Sequence, residues 1–322
     1  MYYYLIITAI LFATELLYFK IADHYNIIDK PNERSSHTRI TLRGGGIIFY
    51  FGALAYFISN GMEYPWFMLG LTLITTISFV DDIRSVSQKL RLLIHFAAMG
   101  LMFWQWGLTN LPWWYMGIAL ILCTGIINAY NFMDGINGIT GGYSLVILCA
   151  LVYINSYVVP FIEAGFIYTL LAAVVVFNFF NFRRKAKCFA GDVGSVSIAF
   201  TLLFLIGKLI LITNNFSYII LLVVYGVDSV LTIIHRIILR ENIGLPHRKH
   251  VYQLMANELK IPHVTVSILY MLLQGLIIAG YLSFREYSYS YFIVMIVLLS
   301  LLYIGFIKRY FHLHVQINSR QN

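Results

Sequence analysis

Four polar clusters interrupt an otherwise apolar chain, and each cluster lies at the end of an apolar run. They are Asp81-Asp82, the stretch from Asn131 to Asn137, Gly191-Asp192, and the stretch from His247 to His250. Carboxylates are costly near hydrocarbon, so ionisable groups at membrane depth usually serve a function. The four clusters together predict a metal-assisted site at the membrane surface.

The paired carboxylates Asp81 and Asp82 close the third apolar run. Adjacent carboxylates can bind a hard cation, or hold a proton because each raises the pKa of the other. The alternative is a solvated pair that merely ends a helix. Lys89 and Arg91 follow shortly and are placed to meet phosphate oxygens.

The second cluster lies in the stretch NAYNFMDGINGITGG, where Asn131, Asp134 and Asn137 recur at every third residue. On a helix this spacing puts the three side chains on one face. The glycines that follow let the backbone turn tightly and approach a ligand. An ordinary polar turn between two helices is the alternative, but this loop has no Lys or Arg, unlike its neighbours.

The third cluster, AGDVGS, places Asp192 between Gly191 and Gly194 at the start of an apolar run. By itself this pattern is typical of a helix N-cap. The preceding NFRRKAK carries four cations that either steer phosphates or set the orientation of the chain in the membrane.

The fourth cluster, PHRKHVYQ, contains His247, Arg248 and His250. Paired histidines raise the question of zinc, but soft ligands and an HExxH pattern are both missing from the sequence. Arg248 between them favours phosphate and sugar hydroxyls. In the first polar loop, His37 and Arg43 precede three glycines, which either cradle phosphate or form a flexible entry to the next helix.

Composition identifies the class of protein. Of 322 residues, 60% are hydrophobic and 11% are charged, whereas a soluble domain carries about 25% charged residues. The fold class is therefore an all-α integral membrane protein. The formal net charge of +8 reflects basic loops and contact with anionic membrane lipid rather than nucleic acid. The three cysteines show no metal or disulfide spacing.

A membrane-spanning helix needs about 20 apolar residues, and the pattern predicts a single polytopic domain over 1–322 with about 11 spans, 10 being the alternative. The first run has no basic segment or cleavage site, so we interpret it as a retained helix. The runs lie near 2–19, 45–59, 65–80, 91–107, 113–133, 141–157, 159–180, 195–213, 217–236, 263–283 and 288–307.

The basic residues predict the orientation. With the N terminus outside, Lys208 and Arg285 alone of the 22 Lys and Arg residues fall outside the inner segments, as the positive-inside rule requires. All four clusters then face the cytoplasm. The inner loop 237–262 is predicted to hold a short helix from Lys249 to Leu259, and the tail at 311–322 is polar, which favours disorder. Within the spans, Asp228 is expected to face the bundle interior, with Arg236 two turns further along.

Together these residues resemble the polyprenyl-phosphate N-acetylhexosamine-1-phosphate transferases, over about residues 29–253 and with the motifs in the same order. That family includes the enzymes that start O-antigen synthesis and the phospho-N-acetylmuramoyl-pentapeptide transferase of peptidoglycan synthesis. The HRxHxYQ form is most similar to the O-antigen-initiating branch. It differs from the triple-histidine form of the muramoyl-pentapeptide enzyme.

The resemblance implies roles for individual positions. Catalytic roles fall to Asp81, Asp82 and Asp134, and a metal, Mg²⁺ or alternatively Mn²⁺, would be held by Asp192 and Asn131. His37 and Arg43 would lie near the lipid phosphate. Where the family often has a second aspartate, this chain has Asn137, which cannot hold charge or carry protons. Substrate-binding roles are implied for Lys89, Asn137, Asn181, His247, Arg248 and His250.

The activity that the resemblance implies is transfer of a sugar 1-phosphate from a UDP-sugar to undecaprenyl phosphate, with release of UMP. The sugar would be an N-acetylhexosamine or a 6-deoxy derivative. The setting would be the bacterial inner membrane, in lipopolysaccharide or cell wall biogenesis, with a homodimer left open. The alternatives are the peptidoglycan-type transferase and a secondary transporter. A transporter should place its substrate residues near mid-membrane, in paired broken helices.

Overall fold

The structure is a computed structural model that describes residues 2–29, 39–245 and 247–321, with side chains described as far as residue 313. It is almost entirely helical, which confirms the all-α polytopic class. The long helices are α1 (Tyr2–His24), α2 (Ile48–Ser59), α3 (Pro65–Ile83), α4 (Gln88–Trp106), α5 (Trp113–Met133), α6 (Ile139–Tyr157), α7 (Ala164–Asn181), α8 (Gly191–Thr213), α9 (Val223–Ile238), α11 (His263–Ser283) and α12 (Ser288–Gln321).

Each of the eleven apolar runs overlaps one of these helices. Nine helical segments in the described part of the chain are long and apolar enough to cross a membrane. Two helices fall short for different reasons. The helix α2 has 12 residues and continues from a 3-10 turn at Gly45–Ile47, and α4 carries Lys89, Arg91 and His95 in its first half. The number of spans and the orientation stay predictions.

Two local expectations need adjustment. The short helix expected at 249–259 begins later, as α10 (Val251–Gln253), and continues as a π-helix over Leu254–Glu258. The C-terminal tail was expected to be disordered, but the backbone of α12 runs to Gln321. No Gly or Pro follows Gly305 to interrupt it, and adding residues to an existing helix is far easier than starting one.

The helix α8 lies at the centre of the bundle and packs against α2, α3 and α5. Its first turn meets the backbone of the 3-10 turn before α2, because a Cβ atom at Gly194 would lie 2.6 Å from Cα of Gly46. Only glycine fits at that approach. A small antiparallel pair, β1 (Ile28–Asp29) and β2 (Thr41–Leu42), leads the chain into this contact.

Candidate active site

The site is organised around the N terminus of α8, which Asp82 caps from α3. Oδ1 of Asp82 accepts the amide of Asp192 at 3.0 Å, and Oδ2 accepts the amide of Val193 at 2.9 Å. Arg43 Nε adds an ion pair to Oδ1 at 2.7 Å, and the Asp82 side chain has no exposed surface. A carboxylate stabilises a helix N terminus through its free amides and its dipole. Asp82 therefore positions the turn that carries Asp192.

Asp81, the neighbour of Asp82, faces a different set of partners. Its Oδ1 accepts the amide of Val86 at 2.7 Å, and its Oδ2 pairs with Arg91 Nη1 at 2.7 Å. These contacts close the α3–α4 turn and draw Arg91 toward the other carboxylates. The adjacent aspartates thus serve two different structures and do not act as a symmetric pair.

Asp192 is the least tightly held carboxylate of the group. Its two oxygens lie 3.4 Å from Arg43 Nη2 and 3.6 Å from Arg91 Nη1, and 22% of its side chain is exposed. It borders a cavity of about 520 Å³. The cavity is also lined by Arg91, His95, Asn131, the loop Ile243–Leu245, His247 and His250. The two arginines can bind an anionic ligand, and the partly exposed carboxylate can bind a metal that enters with that ligand.

The donor set at Asp192 fits a hard divalent cation. Asn131 also lines the cavity, and its Nδ2 donates to Ser195 Oγ at 3.4 Å, which ties the amide to the start of α8, where Asp192 lies. Among the described residues, no group of three His, Cys, Asp or Glu could hold a metal by itself. Mg²⁺ usually takes one or two carboxylates and completes its shell with water and substrate phosphates. Asp192 and Asn131 meet that requirement.

Asp134 lies directly after α5 and accepts a hydrogen bond from Thr140 Oγ1 at 2.6 Å. Burial raises the pKa of Asp134 to about 7, the Thr140 hydrogen bond opposes that rise, and the nearby Asp192 and Asp82 carboxylates add to it. Its protonation state therefore changes close to neutral pH, which is the range a general base needs.

The histidines of the fourth cluster reach the cavity, whereas Arg248 is not part of its lining. The two imidazole centroids, of His247 and His250, lie 5.0 Å apart. Burial, together with His250 and Arg236, lowers the pKa of His247 to about 3. His247 is therefore neutral at physiological pH and offers a ligand hydrogen bonds rather than charge.

The loop between α9 and the histidines is held in place by Arg236. Its guanidinium is buried and donates to the carbonyls of Asn242, Ile243 and Leu245, while Nε pairs with Glu241 at 3.2 Å. Ile243 and Leu245 are also cavity-lining residues. Arg236 thus shapes one wall of the cavity without touching it.

Asn137 and Asn181 have backbone partners in the structure and lie outside the lining of the cavity. Asn137 Nδ2 donates to the carbonyls of Arg183 at 3.0 Å and Arg184 at 3.3 Å. Asn181 Oδ1 accepts the amide of Gly138 at 2.7 Å, and its Nδ2 donates to the carbonyl of Cys188 at 2.8 Å. The two amides join the loop before α6 to the loop before α8, so they hold these loops together without reaching the cavity.

The first polar loop contributes Arg43 to the site but does not form a phosphate cradle with its glycines. The amides of Gly45 and Gly46 donate to the carbonyls of Phe189 and Ala190, so they are not free to bind phosphate. His37 lies outside the described residues.

Lys89 is exposed at the start of α4 and is not a lining residue, whereas Arg91 is. The sequence analysis missed one cavity-lining residue, His95, and one contact, that between Asp228 and His250. His95 lies one turn after Arg91, a spacing that could have revealed it. The contact between Asp228 and His250 had no local signal.

Comparison with known proteins points to one family. The model of glycosyl transferase family 4 matches residues 64–210. A probable undecaprenyl-phosphate N-acetylglucosaminyl 1-phosphate transferase of Bacillus subtilis is 26% identical over 79% of this chain and 76% of its own length. The undecaprenyl-phosphate alpha-N-acetylglucosaminyl 1-phosphate transferase of Escherichia coli is 30% identical over 62% of this chain. The chain spans 60% of the length of that second relative.

Proposed function

Because this chain belongs to glycosyl transferase family 4, we propose that it transfers a sugar 1-phosphate from a UDP-sugar to undecaprenyl phosphate. The sugar is an N-acetylhexosamine or a 6-deoxy derivative, and UMP is released. The names of the two relatives support the acceptor and the sugar class. One geometric observation carries the proposal: Asp192, from the third cluster, meets Arg43 and Arg91 at the edge of a cavity that Asn131 of the second cluster and the histidines of the fourth also line.

The reaction needs positioning and charge stabilisation more than covalent chemistry. An oxygen of the lipid phosphate attacks the β-phosphorus of the UDP-sugar and forms the new P–O bond. The bond between that phosphorus and the bridging oxygen breaks, and UMP leaves with the oxygen. A lipid phosphate has a second pKa near about 6, so at neutral pH the nucleophile is already mostly dianionic.

The cavity-lining residues and the charged groups next to them have separate tasks in this reaction. Asp192 and Asn131 would hold Mg²⁺, which supplies neutralisation of the diphosphate when it is bound. Arg91 and Arg43 bind the phosphate oxygens, which compete with Asp192 for the two guanidinium groups. Asp134 accepts the remaining proton of the lipid phosphate near neutral pH. His247 and His250, which also line the cavity, contact the sugar nucleotide.

The proposed substrates also imply a cellular setting. The acceptor lies in the bacterial inner membrane, and UDP-sugars are cytoplasmic, so the cavity opens to the cytoplasm. The product, a polyprenyl diphosphate sugar, would start a surface polysaccharide of the O-antigen or capsule type.

The test is transfer of radiolabel from UDP-sugars into butanol-extractable lipid by the purified chain in undecaprenyl phosphate and detergent. The panel contains UDP-GlcNAc, its 6-deoxy relatives and UDP-N-acetylmuramoyl-pentapeptide, each with Mg²⁺ and with EDTA. Transfer from an N-acetylhexosamine donor, abolished by EDTA, is expected. No transfer from any member would refute the enzyme, and transfer from the pentapeptide donor alone would reassign the substrate.

A further inference from the structure

Asp228 is a buried carboxylate in the middle of α9 whose two oxygens are fully engaged. Oδ1 accepts the amide of Val251 at 3.2 Å and Thr232 Oγ1 at 3.2 Å, and lies 3.3 Å from Nδ1 of His250. Oδ2 accepts the Tyr270 hydroxyl at 2.6 Å. A carboxylate within a membrane helix is costly unless its partners compensate it or it serves a function. Two of the four contacts, those with His250 and Val251, hold the start of the segment that begins at His250.

The other face of His250 points to a ligand. The residue is 1% exposed, and it lines the cavity that Asp192 borders. Its Nε2 atom is buried and has no hydrogen-bond partner among the described residues. Buried polar atoms are nearly always hydrogen-bonded, so an unpartnered ring nitrogen in the wall of a cavity indicates a partner that arrives with the substrate.

The two observations are linked by the chemistry of imidazole. In a neutral ring one nitrogen carries the proton and the other accepts a hydrogen bond, and the partner of one nitrogen decides the state of the other. A carboxylate oxygen can only accept, so Asp228 Oδ1 requires the proton to be on Nδ1. Nε2 is then left with its lone pair facing the cavity.

We propose that Asp228 is a positioning residue that holds His250 in the Nδ1-protonated tautomer, so that Nε2 accepts a hydrogen bond from a hydroxyl or amide N–H of the sugar nucleotide. The identity of the ligand rests on the proposed function, whereas the tautomer does not. The assignment accounts for an acid in α9 that the proposed reaction does not otherwise use.

The tautomer is tested on the full-length chain in detergent, without substrate. The chain is labelled with ¹⁵N-histidine, and its spectrum is recorded at about pH 8, where a free imidazole is neutral. The His250 signals are assigned by their loss in His250→Gln. We expect a pyrrole-type Nδ1 and a pyridine-type Nε2 in the wild type. A protonated Nε2 with a bare Nδ1 would overturn the proposal.

The role in the reaction is tested by a double-mutant cycle in the transfer assay. Asp228→Ala should lower kcat/KM by about 10- to 100-fold, the usual effect of losing the residue that orients a functional histidine. In the His250→Ala background the same change should cost little, because the residue through which it acts is gone. A full additional loss in that background would refute the positioning role.

Tyr270→Phe is the matched control, since it removes a hydrogen bond to the opposite oxygen of Asp228 and leaves the His250 contact in place. We expect kcat/KM close to that of the wild type and an unchanged tautomer. A loss equal to that of Asp228→Ala would mean that the site needs only local packing, and would overturn the proposal.

If Asp228→Ala does not fold, the wild-type spectrum still decides the tautomer. If the wild type transfers no label, the proposed function fails and the tautomer result stands.

Discussion

Asp82 caps the helix on which Asp192 lies: the amide of Asp192 donates to Asp82 Oδ1 at 3.0 Å. The two carboxylates are neighbours in space, yet their environments differ. Asp82 has no exposed side-chain surface and uses both oxygens on backbone amides, whereas Asp192 keeps 22% of its side chain exposed beside a cavity. One aspartate builds the turn, and the other is left available for a ligand.

Asp82→Ala should destabilise the protein because it removes the cap of α8 and leaves Arg43 without its closest partner. Loss of a helix cap costs about 0.5–2 kcal/mol, and the released charge adds to that cost. The measurement is the apparent unfolding temperature in detergent. Asp23→Ala, at an exposed position of α1, serves as the control, and an equal effect of the two changes would contradict the capping role.

Asp192→Asn should abolish transfer while leaving the fold intact. The amide keeps the shape but loses the charge that would hold Mg²⁺, and its ion pairs at 3.4 Å and 3.6 Å are too long for their loss to unfold the chain. We expect a fall in kcat of at least about 100-fold, the scale of removing a key electrostatic group. The measurement is a Mg²⁺ titration of the transfer rate with an unfolding curve on the same sample. Wild-type turnover would remove the metal assignment.

Arg91→Gln should weaken the binding of UDP-sugar, because Arg91 borders the cavity beside Asp192. A hydrogen bond to a charged group contributes about 1.5–3 kcal/mol, so kcat/KM should fall by about 10- to 100-fold. Lys89→Gln is the matched control, since Lys89 is exposed on the same turn of α4. Steady-state kinetics on both variants decides whether the cation that matters is the arginine or the lysine.

Asp134 should make stability depend on pH. The carboxyl titrates near its ordinary value of 3.8 when unfolded, and burial raises its pKa to about 7 in the folded chain. The folded state therefore binds the proton more tightly, and the resulting stabilisation, complete below about pH 4, is lost as the pH rises through 7. The apparent unfolding temperature should fall as the pH rises from about 5 to about 8, and it should fall less steeply in Asp134→Asn than in the wild type. Identical slopes in the two proteins would contradict the raised pKa.

Asn137→Asp restores the acid that the family often has, and the structure predicts that it will harm this chain. Asn137 Nδ2 donates to the carbonyls of Arg183 and Arg184, and a carboxylate placed there would face two acceptors. An unsatisfied buried group costs about 1–3 kcal/mol. We expect a lower apparent unfolding temperature and no gain in transfer rate. A faster variant would show that the position takes part in catalysis.

The helices and the meeting of Asp81, Asp82, Asp192 and the histidines could be predicted from the sequence. Long apolar runs leave the backbone in a membrane few alternatives to a helix, and polar groups at run ends collect at one face. The tasks of the two adjacent aspartates could not be predicted. Capping by Asp82 depends on how α3 meets α8, a contact between residues 110 positions apart.

The structural roles of Asn137 and Asn181 also could not be predicted from the sequence. The sequence shows the same residue, an asparagine near a catalytic motif, whether its side chain binds a substrate or two carbonyls of the main chain. Only the position of the loop 183–188 decides between the two.

The contact between Gly46 and Gly194 has a consequence for protein engineering. The matched family segment begins at residue 64, but the turn that carries Asp192 rests on a backbone contributed from outside that segment. A chimaera cut at the family boundary would lose Arg43 and this glycine contact together. Exchanges between relatives should therefore carry residues 39–64 and α8 from the same parent.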